Sequence, residues 1–398
     1  RPPWRDPGEM GLVPGKPMSH ARPYIKLFSK VTLVALLLLV GGLWRSEVKV
    51  VANTAAGFSE YIIPFDEDVF AYVTQPVSGT AIGANDTTFT LISVTAWSDT
   101  VTVYYDHWEN GYGLDLNNLD ATVDEKYTLN QSQTLNFNSA TVPRPRTGGD
   151  GNTYIGAGGN CTAQPAPTGF TPVSRTTLDY CYDGRDRIVT VGGATTVTRG
   201  GYLNTAGMGK LAAIGEEVYP LSPQLVKYVL PFPENAGRAD YQRVMAVVQA
   251  TEDNTTLQVD FNGDGTYDSF NTEDGYRTTR ANPTDATIIT LQKGQTYVVD
   301  RLSVDSTGAT ALATGVVILG SKTLQVEYFY GQAGSNYNTR AVSAYPRGFW
   351  SNEYYAPAGS SVAGAQTEIT LYNPNASAIT INWETSAASG SFVIAAGA

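Results

Sequence analysis

Apolar and polar residues alternate with a period of two along much of this chain, most clearly between Val244 and Gly265. Val244-Met-Ala-Val-Val-Gln-Ala250 reads as a buried apolar strand, and Glu252-Asp253-Asn254 as a polar turn. From Thr256 to Phe261 the residues alternate. Leu257, Val259 and Phe261 point one way, and Thr256, Gln258 and Asp260 the other, which is the pattern of a strand with one wet face. Asn262-Gly263-Asp264-Gly265 closes the stretch as a second turn.

Similar hairpins recur in order. Glu60-Tyr-Ile-Ile-Pro-Phe65, Lys227-Tyr-Val-Leu-Pro-Phe232 and, more loosely, Glu353-Tyr-Tyr-Ala-Pro-Ala358 each precede two strand patterns around a polar turn. The strand pairs are Phe89–Ala96 with Val101–Tyr105, the Val244–Phe261 hairpin, and Thr367–Tyr372 with Ile379–Trp383. Three occurrences in one order predict related β units in tandem. Further strands are predicted over 127–129, 134–137, 187–191, 287–291, 296–299, 315–319 and 324–329. Leu211–Val218 is the one helical candidate after the leader. The stretch from about 143 to 201 is rich in proline and glycine and reads as an insertion. The expected fold is all-β: tandem Ig-like antiparallel β-sandwich domains after an N-terminal signal peptide. The expected divisions are a leader over 1–56, a first unit over 57–222, a second over 223–345 and the start of a third, truncated unit over 346–398.

Composition adds location. The formal net charge of -11 argues against nucleic acid and anionic membrane as partners. Met18 is the expected start, followed by His20, Arg22, Lys26 and Lys30 and an apolar run from Val31 to Trp44. As a helix that run reaches about 21 Å, short of a hydrocarbon core of about 30 Å. A secretory signal peptide is therefore expected, cleaved among Ala52, Thr54, Ala55 and Ala56, with a non-cleaved anchor as the second reading. Cys161 and Cys181, the two cysteines of the chain, are expected to form one disulfide in an exported protein. The loop they would close contributes about 3 kcal/mol in the chain-entropy treatment.

Two constellations carry candidate chemistry. Asp260, Asn262, Asp264 and Asp268 place oxygens at positions 1, 3, 5 and 9 of a calcium-type loop, with Gly265 at the bend. Asn271 stands where such a loop carries a bidentate glutamate, and a plain hairpin turn is the competing reading. Asp106-His107-Trp108-Glu109-Asn110-Gly111-Tyr112 holds the one histidine beyond the leader between two carboxylates, as a general base would require. A rigid turn with packed aromatics is the blander reading. His107, Glu109, Trp108 and Tyr112, with Tyr104 and Tyr105, are also candidates for a sugar- or protein-binding platform.

The second unit resembles the N-terminal region of IgGFc-binding protein and its bacterial relatives. The likeness lies in Ala250-Thr-Glu-Asp-Asn-Thr-Thr-Leu-Gln-Val259, Leu291-Gln-Lys-Gly-Gln-Thr-Tyr297 and Thr314-Gly-Val-Val-Ile-Leu-Gly-Ser-Lys-Thr-Leu-Gln-Val326. The first unit, with Val103-Tyr-Tyr-Asp-His-Trp-Glu-Asn-Gly-Tyr112, looks like the opening of exported bacterial surface proteins built from repeated β domains. The resemblance implies an extracellular modular β protein and no particular ligand. The expected function is a secreted or cell-surface structural or adhesive binding module that meets an extracellular glycan or protein, with calcium as the one candidate ion. The alternative is a secreted carbohydrate-active enzyme, or a glycan-binding domain, using the carboxylates and aromatics of Asp106–Tyr112.

Overall fold

The structure, a computed structural model, describes residues 58–65, 69, 73, 87–108, 111–138, 142–143, 184–203, 213–231, 233–234, 241–271, 285–304, 310–331, 339–355, 369–386 and 388–397. The leader and both cysteines lie outside them, as does Glu109. No helix among the described residues is long and apolar enough to cross a membrane.

The first repeat comprises β1 (Phe58–Ile62), β2 (Thr87–Ala96), β3 (Val101–Asp106), β4 (Glu125–Leu129), β5 (Thr134–Asn138), the short β6 (Val142–Pro143), β7 (Arg187–Val191), β8 (Thr195–Leu203) and β9 (Ala213–Val218). The second comprises β10 (Lys227–Val229), β11 (Arg243–Ala250), β12 (Thr255–Asp260), the short β13 (Phe270–Asn271) and β14 (Asp285–Ala286), β15 (Ile289–Leu291), β16 (Thr296–Val299), β17 (Val317–Gly320), β18 (Leu324–Gly331) and β19 (Thr339–Ser343). A hairpin follows, β20 (Ile379–Glu384) and β21 (Ser389–Ile394). Among the described residues the helical elements include two single turns, α1 (Leu119–Thr122) and α2 (Arg301–Val304), and a 3-10 turn at Arg347–Phe349.

The two repeats share one strand order. Sheets β1-β7-β3-β4 and β5-β2-β8-β9 of the first correspond strand for strand to β10-β17-β12-β15 and β16-β11-β18-β19 of the second. The result is an all-β body of four small antiparallel sheets in a propeller-like arrangement. In the first repeat the core is drawn from both sheets, with Ile92 and Val94 meeting Val101, Val103, Tyr105 and Leu129. In the second, Val244, Ala246 and Val248 meet Leu257, Val259, Leu291 and Ile318.

The correspondence extends to single hydrogen bonds at the corners where strands cross between sheets. Ser132 and Gly294, both left-handed (φ 65° and 79°), donate their amides to Ala96 O at 2.9 Å and Ala250 O at 2.8 Å. Asp99 and Asp253 accept the amides of Gln131 at 3.0 Å and Lys293 at 3.1 Å. Gln133 and Gln295 take the amides of Asn130 at 2.7 Å and Gln292 at 2.8 Å through their side chains. Thr100 and Asn254 turn the preceding hairpins with φ of 59° and 55°. Asparagine adopts that region readily, while a β-branched threonine there is strained.

The repeats interlock. Beyond β1 the chain leaves its own sheet, and Phe65, Val69 and Val73 pack on Met245, Val247, Val298, Phe329 and Ala341 of the second repeat. The Phe65 amide donates to Gln249 Oε1 at 2.6 Å, and its ring meets Phe329 edge-on at 5.5 Å. β11 is thereby buried on both faces, which accounts for its continuous apolar run. β12 alternates as expected from Thr255 to Val259, but Asp260, expected on the wet face, is buried, its carboxylate turned to the amides of the loop that follows. A second seam lies between β9 and β19, where Ser343 Oγ donates to Glu217 O at 2.5 Å.

Several expectations are corrected. Ala213–Val218 is strand β9, not a helix. Its apolar and acidic residues carry no helical cap, and pairing with β8 decides the matter. β8 and β7 are framework strands, so the insertion ends before Gly184 rather than at 201. β8 is rich in Thr and Gly and β19 is short, which hid both. Residues 369–372 form no strand.

Phe65 is wholly buried in the seam. Phe65→Ala is expected to cost roughly 3–5 kcal/mol and to split the denaturant transition into two. A single transition with an unmoved midpoint would show that the seam does not couple the repeats.

Candidate functional site around His107

His107, directly after β3, meets carboxylates that come from elsewhere in the chain than the flagged stretch. His107 is fully buried, with its ring 4.6 Å from that of Tyr105. Its Nε2 lies 3.1 Å from Glu125 Oε1 and its Nδ1 4.0 Å from Asp186 Oδ2. Its backbone amide donates to Asp124 Oδ2 at 2.9 Å. Asp186 accepts the Tyr105 hydroxyl at 2.5 Å and the Trp108 amide at 2.9 Å. Tyr127 donates its hydroxyl to Glu125.

The same groups pin the loop that follows. Asp106 accepts the amides of Gly113 at 3.3 Å and Leu114 at 3.2 Å. Arg187 donates to Leu114 O at 2.8 Å and to Glu60 Oε1 at 2.7 Å. Tyr112 donates its hydroxyl to Arg185 O at 2.7 Å. Arg185 holds a left-handed backbone, φ 72°, and places its guanidinium 5.0 Å from the Trp108 ring centre. The second repeat has Gly315 at that backbone position (φ 88°), and the Arg185 and Gly315 amides make matching 2.8 Å bonds to Ile63 O and Leu230 O.

The second repeat reaches into this cluster. Lys293 sets its ammonium 4.1 Å from the Tyr112 ring centre. A Cβ on Gly294 would stand 2.7 Å from Tyr112 Oη and 3.2 Å from Trp108 Nε1. Gly294 is thus needed for its backbone angle and for room, whereas Ser132 carries a side chain at the matching corner.

Burial shapes the charges. Desolvation raises Asp106 to about 6 and Asp186 to about 7, against the lowering influence of their hydrogen bonds and neighbouring cations. Desolvation also lowers Lys293 to about 8. A carboxylate–imidazole–carboxylate set is what a general base needs, but a base must also reach its substrate. His107 and Tyr105 are wholly inaccessible and Tyr104 nearly so, which corrects the expectation of an exposed platform there. Trp108 and Tyr112 are half-buried. Phe261 occupies the repeat position of His107, and its amide donates to Asp268 Oδ2 at 2.7 Å as that of His107 does to Asp124. The position is a core aromatic one in both repeats.

In the second repeat, Asp260 Oδ1 accepts the amides of Asn262 at 3.3 Å and Gly263 at 2.7 Å, and its Oδ2 that of Gly265 at 2.9 Å. Asn262 and Asp264 accept the amides two residues on, at 2.9 and 2.8 Å. The loop is a chain of side-chain-capped turns. Among the described residues no three His, Cys, Asp or Glu side chains converge as a metal group.

Sequence reasoning grouped Asp106, His107, Trp108 and Tyr112 but did not single out Glu125, Arg185, Asp186 and Lys293. The signal was the charged run Arg185-Asp186-Arg187 directly before an apolar strand. Compared with known proteins, the chain matches no family model, no curated protein and no solved structure.

Two expectations follow from the cluster. Asp106 and Asp186 hold protons in the fold up to about pH 6 and 7, while in the unfolded chain they lose them near the ordinary 3.8. The folded state binds more protons in that window, so their contribution to stability is greatest at low pH and falls as pH rises. For Asp106 alone the change is on the order of 3 kcal/mol. Asp186→Asn, which can accept the Trp108 amide and donate to Tyr105, is expected to flatten the decline in Tm between pH 5 and 8. An unchanged slope would remove Asp186 from the account. Gly294→Ala is expected to cost roughly 1–3 kcal/mol in urea denaturation, against less than about 1 for Ser132→Ala.

Proposed function

We propose that the chain is an exported, cell-surface or secreted, structural and adhesive binding module built of tandem Ig-like β-sandwich units. The observation that carries this reading is the repetition itself: one strand order and one corner network, twice in succession, with the repeats locked by Phe65. Chains made of such units place rigid surfaces in series and leave recognition to the loops between strands. The stretch around Trp108 and residues 111–114 suits that role, since Asp106, Asp186 and Arg187 hold the backbone of Trp108, Gly113 and Leu114 while Trp108 and Tyr112 stay partly exposed.

The partner is an extracellular glycan or protein surface, and the net charge of -11 disfavours nucleic acid. Export through a signal peptide starting at Met18, a disulfide between Cys161 and Cys181, and kinship with exported surface proteins of repeated β domains belong to the same reading. The rival, a carbohydrate-active enzyme, draws less support, because Asp106 is buried and committed to two loop amides.

A glycan and matrix-protein array tests the proposal. Binding is expected that Trp108→Ala weakens about tenfold or more, the scale of an aromatic contact residue. No ligand on the array, together with polysaccharide hydrolysis lost in Glu109→Gln, would replace this reading with the rival. Calcium is tested by melting with EDTA and with millimolar calcium. The capped turns of Asp260–Asp268 are expected to keep Tm within about 1 °C, whereas a rise of several degrees would place an ion there.

A further inference from the structure

Three charged residues of β8, β9 and β18 do not belong to the frame that the repeats share. Val197 pairs with Val94 as Val326 pairs with Val248, so Thr198 and Arg199 correspond to Glu327 and Tyr328. Glu216 pairs with Arg199 as Val342 pairs with Tyr328. Each of these positions is charged in one repeat and uncharged in the other. Arg199, Glu216 and Glu327 are nonetheless almost wholly buried, at 1%, 5% and 1% exposure.

They meet at the seam between the repeats. Glu216 comes from β9 of the first repeat and Glu327 from β18 of the second, and their side chains are hydrogen-bonded to each other. β9 packs beside β19, Ser343 Oγ donates to Glu217 O at 2.5 Å, and Gln325 Nε2 donates to Tyr219 O at 2.9 Å. Arg199 donates Nη1 to the carbonyls of Pro64 and Phe65 and lies 5.1 Å from the Phe65 ring centre. The cluster therefore also holds the residue that locks the repeats together.

Two ionised carboxylates carry only acceptor oxygens, so a hydrogen bond between them requires a proton on one. Among the described residues no fixed donor reaches either oxygen of Glu216 or Oε2 of Glu327. Arg199 is the cation that acts on both carboxyl groups, and Ser343 hydrogen-bonds to Glu327. The hydroxyls of Tyr219 and Tyr228 also face Glu327, with Glu217 and Tyr345 beside Tyr219. With one proton on the pair, pair and guanidinium together are neutral. With none, a net negative charge is left in the seam, where it is costly. Burial raises Glu216 above the ordinary 4.5, and burial with the facing Glu216 charge raises Glu327 well above it.

We propose that Glu216 and Glu327 share one proton, and that the seam between the repeats is a pH-sensitive joint, closed at acidic pH and loosened as pH rises. The folded pair keeps its proton through a range where unfolded glutamates, near 4.5, have lost theirs. Its contribution is therefore whole below that value and is lost as pH rises. The joint operates whatever the outward loops bind.

Hydrogen exchange on the full chain from about pH 5 to about pH 9, corrected for intrinsic rates, tests this. Protection over β9 and β19 is expected to fall about tenfold or more across that range, further than over β12 in the core of the second repeat. Glu327→Gln supplies an amide that donates to Glu216 without a titrating proton, and is expected to hold seam protection within about threefold. Glu216→Gln does the same from the other side and serves if the first variant misfolds. Asp186→Asn, which removes a different buried carboxyl, is expected to leave the decline at the seam in place. Protection that stays level in the unmodified chain, or that declines as steeply in the glutamine variants, overturns the proposal. So does seam protection that rises with millimolar calcium and loses that rise in Glu327→Gln, since the carboxylates would then hold a cation in place of a proton.

Discussion

Each repeat turns on one contact between two corners. The carbonyl of Ala96 or Ala250, at the end of a strand in one sheet, accepts the amide of a left-handed residue in the turn that leads from the other sheet back to its own. An aspartate and a glutamine cap the remaining amides of that turn. Two crossings between the layers are thereby tied together at one end, and the inward faces of both sheets are held in register. Where the contact is made, the apolar residues of both sheets meet in one core. Hydrophobic burial supplies the larger energy, but it has no direction, and the corner supplies the direction.

On this common frame the repeats diverge by what each must cover. β2 faces its own core on one side only, and its outer residues, Ser93 and Thr95, remain polar partners for Asn136 and Thr134. β11 carries Phe65, Val69 and Val73 on its other side and is apolar from Val244 to Val248. The aromatic position after the third strand is Phe261 in one repeat and His107 in the other. The histidine brings with it a set of carboxylates whose burial opposes ionisation. Those groups hold the amides of Trp108, Gly113 and Leu114, and Lys293 of the neighbouring repeat lies on the Tyr112 ring, so the cluster joins loop to frame and repeat to repeat. A loop already held in shape loses little entropy on meeting any partner.

Much of the frame was legible in the sequence. The opening strings at Glu60 and Lys227 are the matching strands β1 and β10. The turns at Trp97-Ser98-Asp99 and Glu252-Asp253-Asn254 stand where expected, and period-two alternation located most strands to within a residue or two. Strands that carry their own signal were found, whereas β8, with its Thr and Gly, and β9, with a buried Glu216 beside an exposed Glu217, owe their conformation to the strands beside them. Local propensity contributes at most about 1 kcal/mol per residue, which pairing readily overrides. The site was half legible. Asp106, His107, Trp108 and Tyr112 lie together in the chain, but Glu125, Asp186 and Lys293 arrive from distant parts of it, and only Asp186, in the charged run before β7, carries a local signal.

By itself, then, the sequence determined the class of structure, the repetition and the turn chemistry, because each is written in residues a few positions apart. Which sheet faces which, that β11 is covered twice, and that a histidine between carboxylates is sealed inside were decided only when distant strands met. Burial and the ionisation it controls depend on neighbours from the whole chain, and no stretch of sequence contains its own surroundings.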